Sequence, residues 1–204
     1  MTTRRDFLKT MTMASAGLAF GAGDVLGARA STTQRKVTDK VKIAYIGIGN
    51  RGEQIINDFA RTGMVEVVAL CDVDMGAAHT QKVMNQYPKA KRFRDFRQMF
   101  DKAGNDFDAV AIATPDHSHF PISMLALASG KHVYVEKPLA RTFYEGELLM
   151  QAALKRPNLA TQVGNQGHSE ANYFQFKAWM DAGIIKDVTA VTAHMNNPRR
   201  WHKW

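Results

Sequence analysis

A glycine-rich turn directly after an apolar β-strand constrains the fold of this chain more than any other feature. Val41–Ile46 is apolar and β-rich, and it leads straight into the hexapeptide GIGNRG at Gly47–Gly52. A helical pattern follows from Glu53 to Arg61. In a strand–turn–helix context, a G-x-G-x-x-G motif is typical of the first βα unit of a dinucleotide-binding fold. The sequence therefore predicts such a unit at Val41–Arg61.

Five residues of this turn have an expected role in binding a cofactor. Gly47 permits the tight turn, Gly49 lets the backbone approach a pyrophosphate, and Gly52 allows close packing of the helix on the sheet. Asn50 and Arg51 stand at the start of the helix, where unpaired backbone N–H groups can bind phosphate. We therefore assign these five residues to the cofactor site.

Asp72 completes the dinucleotide fingerprint. It ends a second predicted strand, Val65–Cys71, and lies about 20 residues beyond Gly52, where an acidic side chain binds the ribose hydroxyls of NAD. The sequence has no arginine beside Asp72, so a 2′-phosphate would meet repulsion. NAD is the expected cofactor and NADP the less favoured one. A strand-end turn or a helix cap is the alternative role for this carboxylate.

The alternation of strands and helices continues along the chain, with helices near 76–85 and 96–103 and a short strand near 91–93. Asp108–Ala113 is almost wholly apolar, as in a strand covered on both faces of a sheet. Thr114 and Pro115 follow it, at the carboxyl edge where open α/β sheets bind ligands. The sequence predicts an α/β fold with a Rossmann-type, doubly wound parallel sheet, and Thr114 and Pro115 flanking the cofactor.

A fifth strand, Lys131–Val135, leads into Glu136-Lys137-Pro138. With this motif the chain resembles the glucose-fructose oxidoreductase/inositol dehydrogenase (Gfo/Idh/MocA) family. The resemblance also rests on the Gly47–Gly52 turn, on Ala113-Thr114-Pro115 with His119, and on Gly130–Val133, in the family's order and spacing. It covers residues 41–204.

The resemblance implies roles for several residues. Lys137 would lie beside the nicotinamide and the reacting hydroxyl and would orient or accept the hydroxyl proton; a surface lysine at a strand end is the alternative. Glu136 would contact Lys137 or the cofactor ribose, and His119 would lie near the cofactor. Gln166 and His168 would bind a polyhydroxylated substrate, with loop capping as an equal alternative.

The resemblance also divides the chain into an NAD-binding domain at 41–166 and the beginning of an α+β substrate domain at 167–204. Val188–His194 alternates like a half-buried antiparallel strand that would open this second domain. Family members continue for about as long again, a normal size for a second domain. We therefore expect the chain to be incomplete and the full-length protein to be a homo-oligomer.

Residues 1–30 are expected to be a twin-arginine signal peptide. Thr3–Lys9 resembles the twin-arginine consensus, Met11–Gly27 is weakly apolar, and Ala28–Ala30 offers a cleavage site. Asp24 interrupts the apolar stretch, which is shorter than the roughly 20 residues of a membrane span, so an uncleaved anchor is the less favoured alternative. We expect a linker at 31–40, recognition by the export machinery, and a periplasmic or otherwise exported protein that carries its cofactor.

Charge and side-chain content argue against other classes. The net charge is +8, but the positive residues are scattered, so no nucleic-acid partner is expected. Cys71 is the only cysteine, which leaves no intrachain disulfide and favours a packing role. His117 and His119 have no nearby Cys, Asp or Glu set to complete a coordination sphere, so no metal is expected.

Three functions remain open at this point. The leading hypothesis is an NAD-dependent oxidoreductase that acts on a sugar or related polyol. The second is a glycoside hydrolase that uses bound NAD for a transient oxidation. The third is a sugar-binding protein without catalysis.

Overall fold

The computed structural model describes residues 40–193, and its centre is a six-stranded parallel sheet. The strands are β1 (Val41–Ile46), β2 (Val65–Cys71), β3 (Lys91–Phe93), β4 (Ala109–Ile112), β5 (His132–Glu136) and β6 (Thr161–Gly164). Their order is β3-β2-β1-β4-β5-β6, and every neighbouring pair is parallel. The order reverses between β1 and β4, which confirms the predicted Rossmann-type, doubly wound sheet.

Helices connect these strands. They are α1 (Arg51–Arg61), α2 (Ala78–Gln86), α3 (Phe96–Ala103), α4 (His119–Ala128), α5 (Phe143–Leu154) and α6 (Ala171–Asp181). Short 3₁₀ turns lie at Asp116–Ser118 and Gln166–Ser169. The bounds predicted for α1, α2 and α3 agree with these to within a few residues, because the apolar runs and glycines that define them are local signals.

The sheet is covered on both faces, since successive strand residues point to opposite sides. One face packs against α1 and α2, and the other packs against α3, α4 and α5. The strand residues of the first face are Ile43, Tyr45, Leu70 and Ala111. Those of the second face are Ala44, Ile46, Ala69, Cys71, Val110, Ile112, Val133 and Val135. Burial on both faces explains why these strands are almost wholly apolar.

A capping box fixes the start of α5 and so anchors the loop that follows β5. The Glu145 backbone N–H donates to the Thr142 hydroxyl at 3.1 Å. In return, the Glu145 carboxylate accepts from the backbone N–H of Arg141 at 2.9 Å and of Thr142 at 3.3 Å. A reciprocal cap of this kind satisfies donors that the first helical turn leaves unpaired. The loop carrying Lys137 is therefore held at its far end.

The predicted strand at Val188–His194 is wrong for the residues that the structure describes. Residues 188–193 are not in a strand. A β-strand is stable only when its backbone is paired in a sheet, and no strand of residues 40–193 pairs with this segment. Alternation of side chains alone cannot supply that partner.

The predicted signal peptide at 1–30, the linker up to residue 39 and residues 194–204 lie outside the described residues. Within residues 40–193, no helix is both long enough and apolar enough to cross a membrane.

Candidate functional site

The glycine-rich turn lies at the carboxyl end of β1, where two glycines are required by close backbone contacts. Gly47 has φ +80°, and a Cβ there would stand 2.5 Å from the carbonyl oxygen of Ala113, which follows β4. A Cβ on Gly52 would overlap the carbonyl oxygen of Gly47. The turn therefore lets α1 approach both β1 and the end of β4.

No side chain caps the start of α1, where the backbone N–H of Gly52 donates to the carbonyl oxygen of Gly49 at 2.8 Å. Asn50 is the N-cap residue, with φ 46° and ψ −103°, and its side chain makes no capping hydrogen bond. The N–H groups of the first turn of a helix have no partners within that helix and attract anions. Asn50 and Arg51 thus lie where the sequence predicted a phosphate-binding helix start.

Asp72 ties the end of β2 to the same turn. Its Oδ2 accepts a hydrogen bond from the backbone N–H of Ile48 at 3.0 Å, and its Oδ1 accepts one from the N–H of Asp74 at 3.0 Å. The strand-end turn considered from the sequence is thus observed. An ionised carboxylate has about four acceptor positions, so Asp72 keeps capacity for the two hydroxyls of a ribose.

An ion pair that the sequence did not reveal joins the turn to the end of β5. The Nε and Nη2 atoms of Arg51 lie 2.9 Å and 2.8 Å from Oε1 of Glu136. Nη1 of Arg51 donates to Gln54 at 3.0 Å, and Oε2 of Glu136 accepts from the backbone N–H of Lys137 at 3.2 Å. Glu136 thus contacts the backbone of Lys137 and pairs with Arg51, while its role at the cofactor site stays a prediction.

We expect loss of this pair to destabilise the fold. The Glu136 side chain is 5% exposed, so Arg51→Met leaves a buried carboxylate without its cation, at a cost of about 3 kcal/mol. The double variant Arg51→Met/Glu136→Gln should recover part of that loss. Urea unfolding measures both effects. As a control, Lys91→Met removes an exposed ion pair with Asp106 and should lower the free energy of unfolding by less than about 1 kcal/mol. Additive effects of Arg51→Met and Glu136→Gln on the free energy of unfolding would contradict the coupling between these two residues.

Lys137 and Thr114 lie at the carboxyl ends of β5 and β4. The Lys137 side chain is exposed, and its peptide bond to Pro138 is cis. The Thr114 hydroxyl oxygen is buried, with no hydrogen-bond partner among the described residues. Pro115 is exposed and precedes the 3₁₀ turn at Asp116–Ser118. An orphaned hydroxyl at this edge is a donor that a bound cofactor can use.

His119 connects the loops after β4 and β5. It is 1% exposed, with Nδ1 2.6 Å from the carbonyl oxygen of Pro138 and Nε2 2.8 Å from that of Thr114. A carbonyl oxygen only accepts, so each contact is a hydrogen bond when that ring nitrogen carries a proton. His119 thus lies near the predicted cofactor residues and holds their backbone in place, while His117 is exposed.

The end of β6 lies beside Glu136. Gly164 pairs with Glu136 in register, and a Cβ there would stand 2.5 Å from the Tyr134 hydroxyl and 2.7 Å from Oε1 of Glu136. Gln166 follows two positions later and is exposed. The side chain of His168 lies outside the described part of the structure, so its predicted role is untested.

Burial perturbs two acidic groups near this edge. Burial, and next the charge of Asp72, raise the pKa of the Cys71 thiol to about 12, which agrees with the expected packing role because the thiolate is the reactive form. Burial, and next the charge of Glu136, raise the pKa of Tyr134 above its ordinary value. Residues 40–193 contain no cluster of three or more His, Cys, Asp or Glu that could hold a metal ion.

Comparison with known families gives a match over most of the described residues. The profile of the Gfo/Idh/MocA oxidoreductase family, which has an NAD-binding Rossmann fold, matches residues 41–165. Inositol 2-dehydrogenase of Salmonella typhimurium is 31% identical over 147 residues, which are 71% of this chain and 43% of that protein. Glycosyl hydrolase family 109 protein 2 of Shewanella sp. strain ANA-3 is 31% identical over 161 residues, or 70% of this chain and 35% of that protein.

A solved structure is also similar. The crystal structure of scyllo-inositol dehydrogenase from Lactobacillus casei, with bound NAD(H) and scyllo-inositol, superimposes with a TM-score of 0.65 and 27% identity. The alignment covers 74% of this chain and 44% of that one. The chain therefore spans less than half the length of the relatives that it matches.

Proposed function

The chain belongs to the Gfo/Idh/MocA family of oxidoreductases, with an NAD-binding Rossmann fold, and from this premise we propose that it binds NAD for hydride transfer from a sugar or polyol hydroxyl. One observation carries the proposal. The glycine-rich turn, Asp72, Thr114 and Lys137 all lie at the carboxyl edge of the sheet, where such folds bind dinucleotides.

The residues present fit a dinucleotide. The turn at Gly47–Gly52 offers the diphosphate a close backbone approach and a helix start without a side-chain cap. Asp72 has acceptor capacity for ribose hydroxyls, and the buried Thr114 hydroxyl is a free donor at the same edge. NAD, when bound, supplies the hydride acceptor.

We assign the proton of the substrate hydroxyl to Nζ of Lys137. A positioned side chain that takes this proton as the C–H bond breaks speeds the reaction. Glu136 accepts a hydrogen bond from the Lys137 backbone, and His119 holds the carbonyl of Pro138, so the loop is restrained on both sides of Lys137. The Arg51–Glu136 pair then links the orientation of Lys137 to that of the phosphate-binding turn.

Asp72 is proposed to select NAD over NADP. Asp72→Asn is expected to weaken that preference at least about tenfold, because the lost repulsion between the carboxylate and the 2′-phosphate of NADP, about 1.4 kcal/mol, corresponds to this factor. The amide oxygen can still accept the Ile48 N–H, so the turn should persist. Titration calorimetry with NAD and NADP measures the ratio. Asp74→Asn changes a neighbouring exposed carboxylate and should leave the ratio unaltered; tighter NADP than NAD binding by the unsubstituted chain would sink the assignment.

A glycoside hydrolase that oxidises its substrate transiently is the second candidate, supported by the similarity to the glycosyl hydrolase family 109 protein. The same residues serve both reactions, because each needs hydride and proton transfer at a sugar carbon. Product analysis separates them: a cleaved glycosidic bond with no net change in NAD selects the hydrolase.

We further propose that residues 1–30 direct export by the twin-arginine route to the periplasm or beyond, and that the full-length protein is a homo-oligomer. The first proposal is supported by the paired arginines Arg4 and Arg5 ahead of a weakly apolar stretch. A protein exported in the folded state can keep a bound cofactor where free NAD is scarce.

A further inference from the structure

The ring of His79 lies on Gly49, the second glycine of the phosphate-binding turn. A Cβ built on Gly49 would overlap Cδ2 of His79 and stand 3.1 Å from Nε2 and 3.2 Å from Cγ. All three nearest atoms belong to this one imidazole. The imidazole of His79 therefore lies beside Gly49, where the sequence predicts the close approach of a pyrophosphate.

The backbone under His79 is fixed while its side chain remains accessible. His79 is in the first turn of α2, and the next residue, Thr80, is fully buried. The Thr80 hydroxyl lies 3.0 Å from the carbonyl oxygen of Asp74 and 2.9 Å from that of Ala77. His79 itself is exposed, so its ring is presented to solvent from a rigid turn.

Two other cations close to the turn are already paired. Arg51 is engaged by Glu136 and Gln54, and Lys82 of α2 pairs with Glu53 of α1. In the described part of the chain, no hydrogen bond or ion pair involves the side chain of His79. A diphosphate at Gly49 would therefore find the imidazole available as a donor, beside the backbone N–H groups.

We propose that His79 is a cofactor-binding residue whose ring N–H donates to the diphosphate of NAD while the ring packs on Gly49. This inference rests on the proposed binding of NAD. It adds a side-chain donor to a site in which the glycine motif supplies only backbone groups.

Calorimetric titration of the chain with NAD and with ADP tests the proposal. His79→Ala should weaken binding of both about tenfold, the effect of one hydrogen bond to a charged group. His79→Gln keeps an N–H donor and should restore part of the affinity. His117→Ala removes an exposed histidine at another loop and should change nothing, and urea unfolding should be unaltered in all three variants.

A titration with adenosine, followed by NMR, identifies the contact. Adenosine lacks phosphate, so His79→Ala should leave its binding unchanged, whereas ADP should shift the imidazole signals of His79. The proposal would be overturned if His79→Ala lost equal affinity for adenosine and for ADP. It would also be overturned if His79→Ala bound NAD more tightly than the unsubstituted chain, because the ring would then obstruct the site. If the unsubstituted chain bound no NAD, the proposed function itself would be wrong. If it bound NAD and His79→Ala bound NAD with the same affinity, only the proposed role of His79 would be wrong.

Discussion

Replacing Gly52 with alanine is expected to abolish measurable NAD binding and to destabilise the chain by about 3 kcal/mol. The new Cβ would overlap the carbonyl oxygen of Gly47 and stand 2.8 Å from its carbonyl carbon. These are backbone atoms and cannot rotate away as a side chain can. The start of α1 would have to move off the sheet, which would distort the glycine-rich turn. Calorimetric titration with NAD and urea unfolding measure the two effects.

Gly146 provides a matched control, since it also lies in a helix, α5, and a Cβ there would meet nothing within 4 Å. Gly146→Ala should leave NAD binding unchanged and raise the free energy of unfolding by about 0.5–1 kcal/mol, the ordinary gain of alanine over glycine in a helix. Unaltered NAD binding by Gly52→Ala would show that the close contact between α1 and the turn is not needed.

Lys137→Met is expected to lower the rate of hydride transfer by about 10²–10⁴-fold while leaving NAD affinity nearly unchanged. The side chain is exposed, so its removal should not affect unfolding, and only the group that handles the hydroxyl proton is lost. The rate is followed by NADH absorbance in the full-length protein with a panel of sugars and polyols.

Lys155→Met, which replaces an exposed lysine just after α5, should match the unsubstituted protein in rate and in affinity. Turnover by Lys137→Met at the unsubstituted rate would remove Lys137 from the reaction. A parallel loss of NAD affinity would instead make it a cofactor-binding residue.

Predictions from local patterns succeeded where one short segment holds the whole signal. The strand at Val41–Ile46, the glycines after it and the acidic end of β2 were all recognised in this way, because turn geometry and burial on both sheet faces restrict residue choice locally. The strand expected at Val188–His194 failed over residues 188–193, because pairing with another strand is not a local property.

Contacts between distant residues could not be predicted. Arg51 and Glu136 are 85 positions apart, and each was assigned from its own motif without reference to the other. The two carbonyl contacts of His119 and the position of His79 on Gly49 are of the same kind. No signal in the sequence around His79 separates it from an ordinary exposed helix residue.

The amino-acid sequence by itself determined the fold class, the glycine-rich turn after β1 and the acidic residue at the end of β2, because each depends on backbone geometry and burial within one βα unit. Only the tertiary structure decided which side chains meet at the carboxyl edge of the sheet. The parallel crossovers bring the ends of β1, β4 and β5 together. The turn at Gly47–Gly52 is therefore joined through Arg51 to Glu136, which also accepts a hydrogen bond from the backbone of Lys137. Residues that are far apart in the sequence are close in space there, and the site depends on their closeness in space.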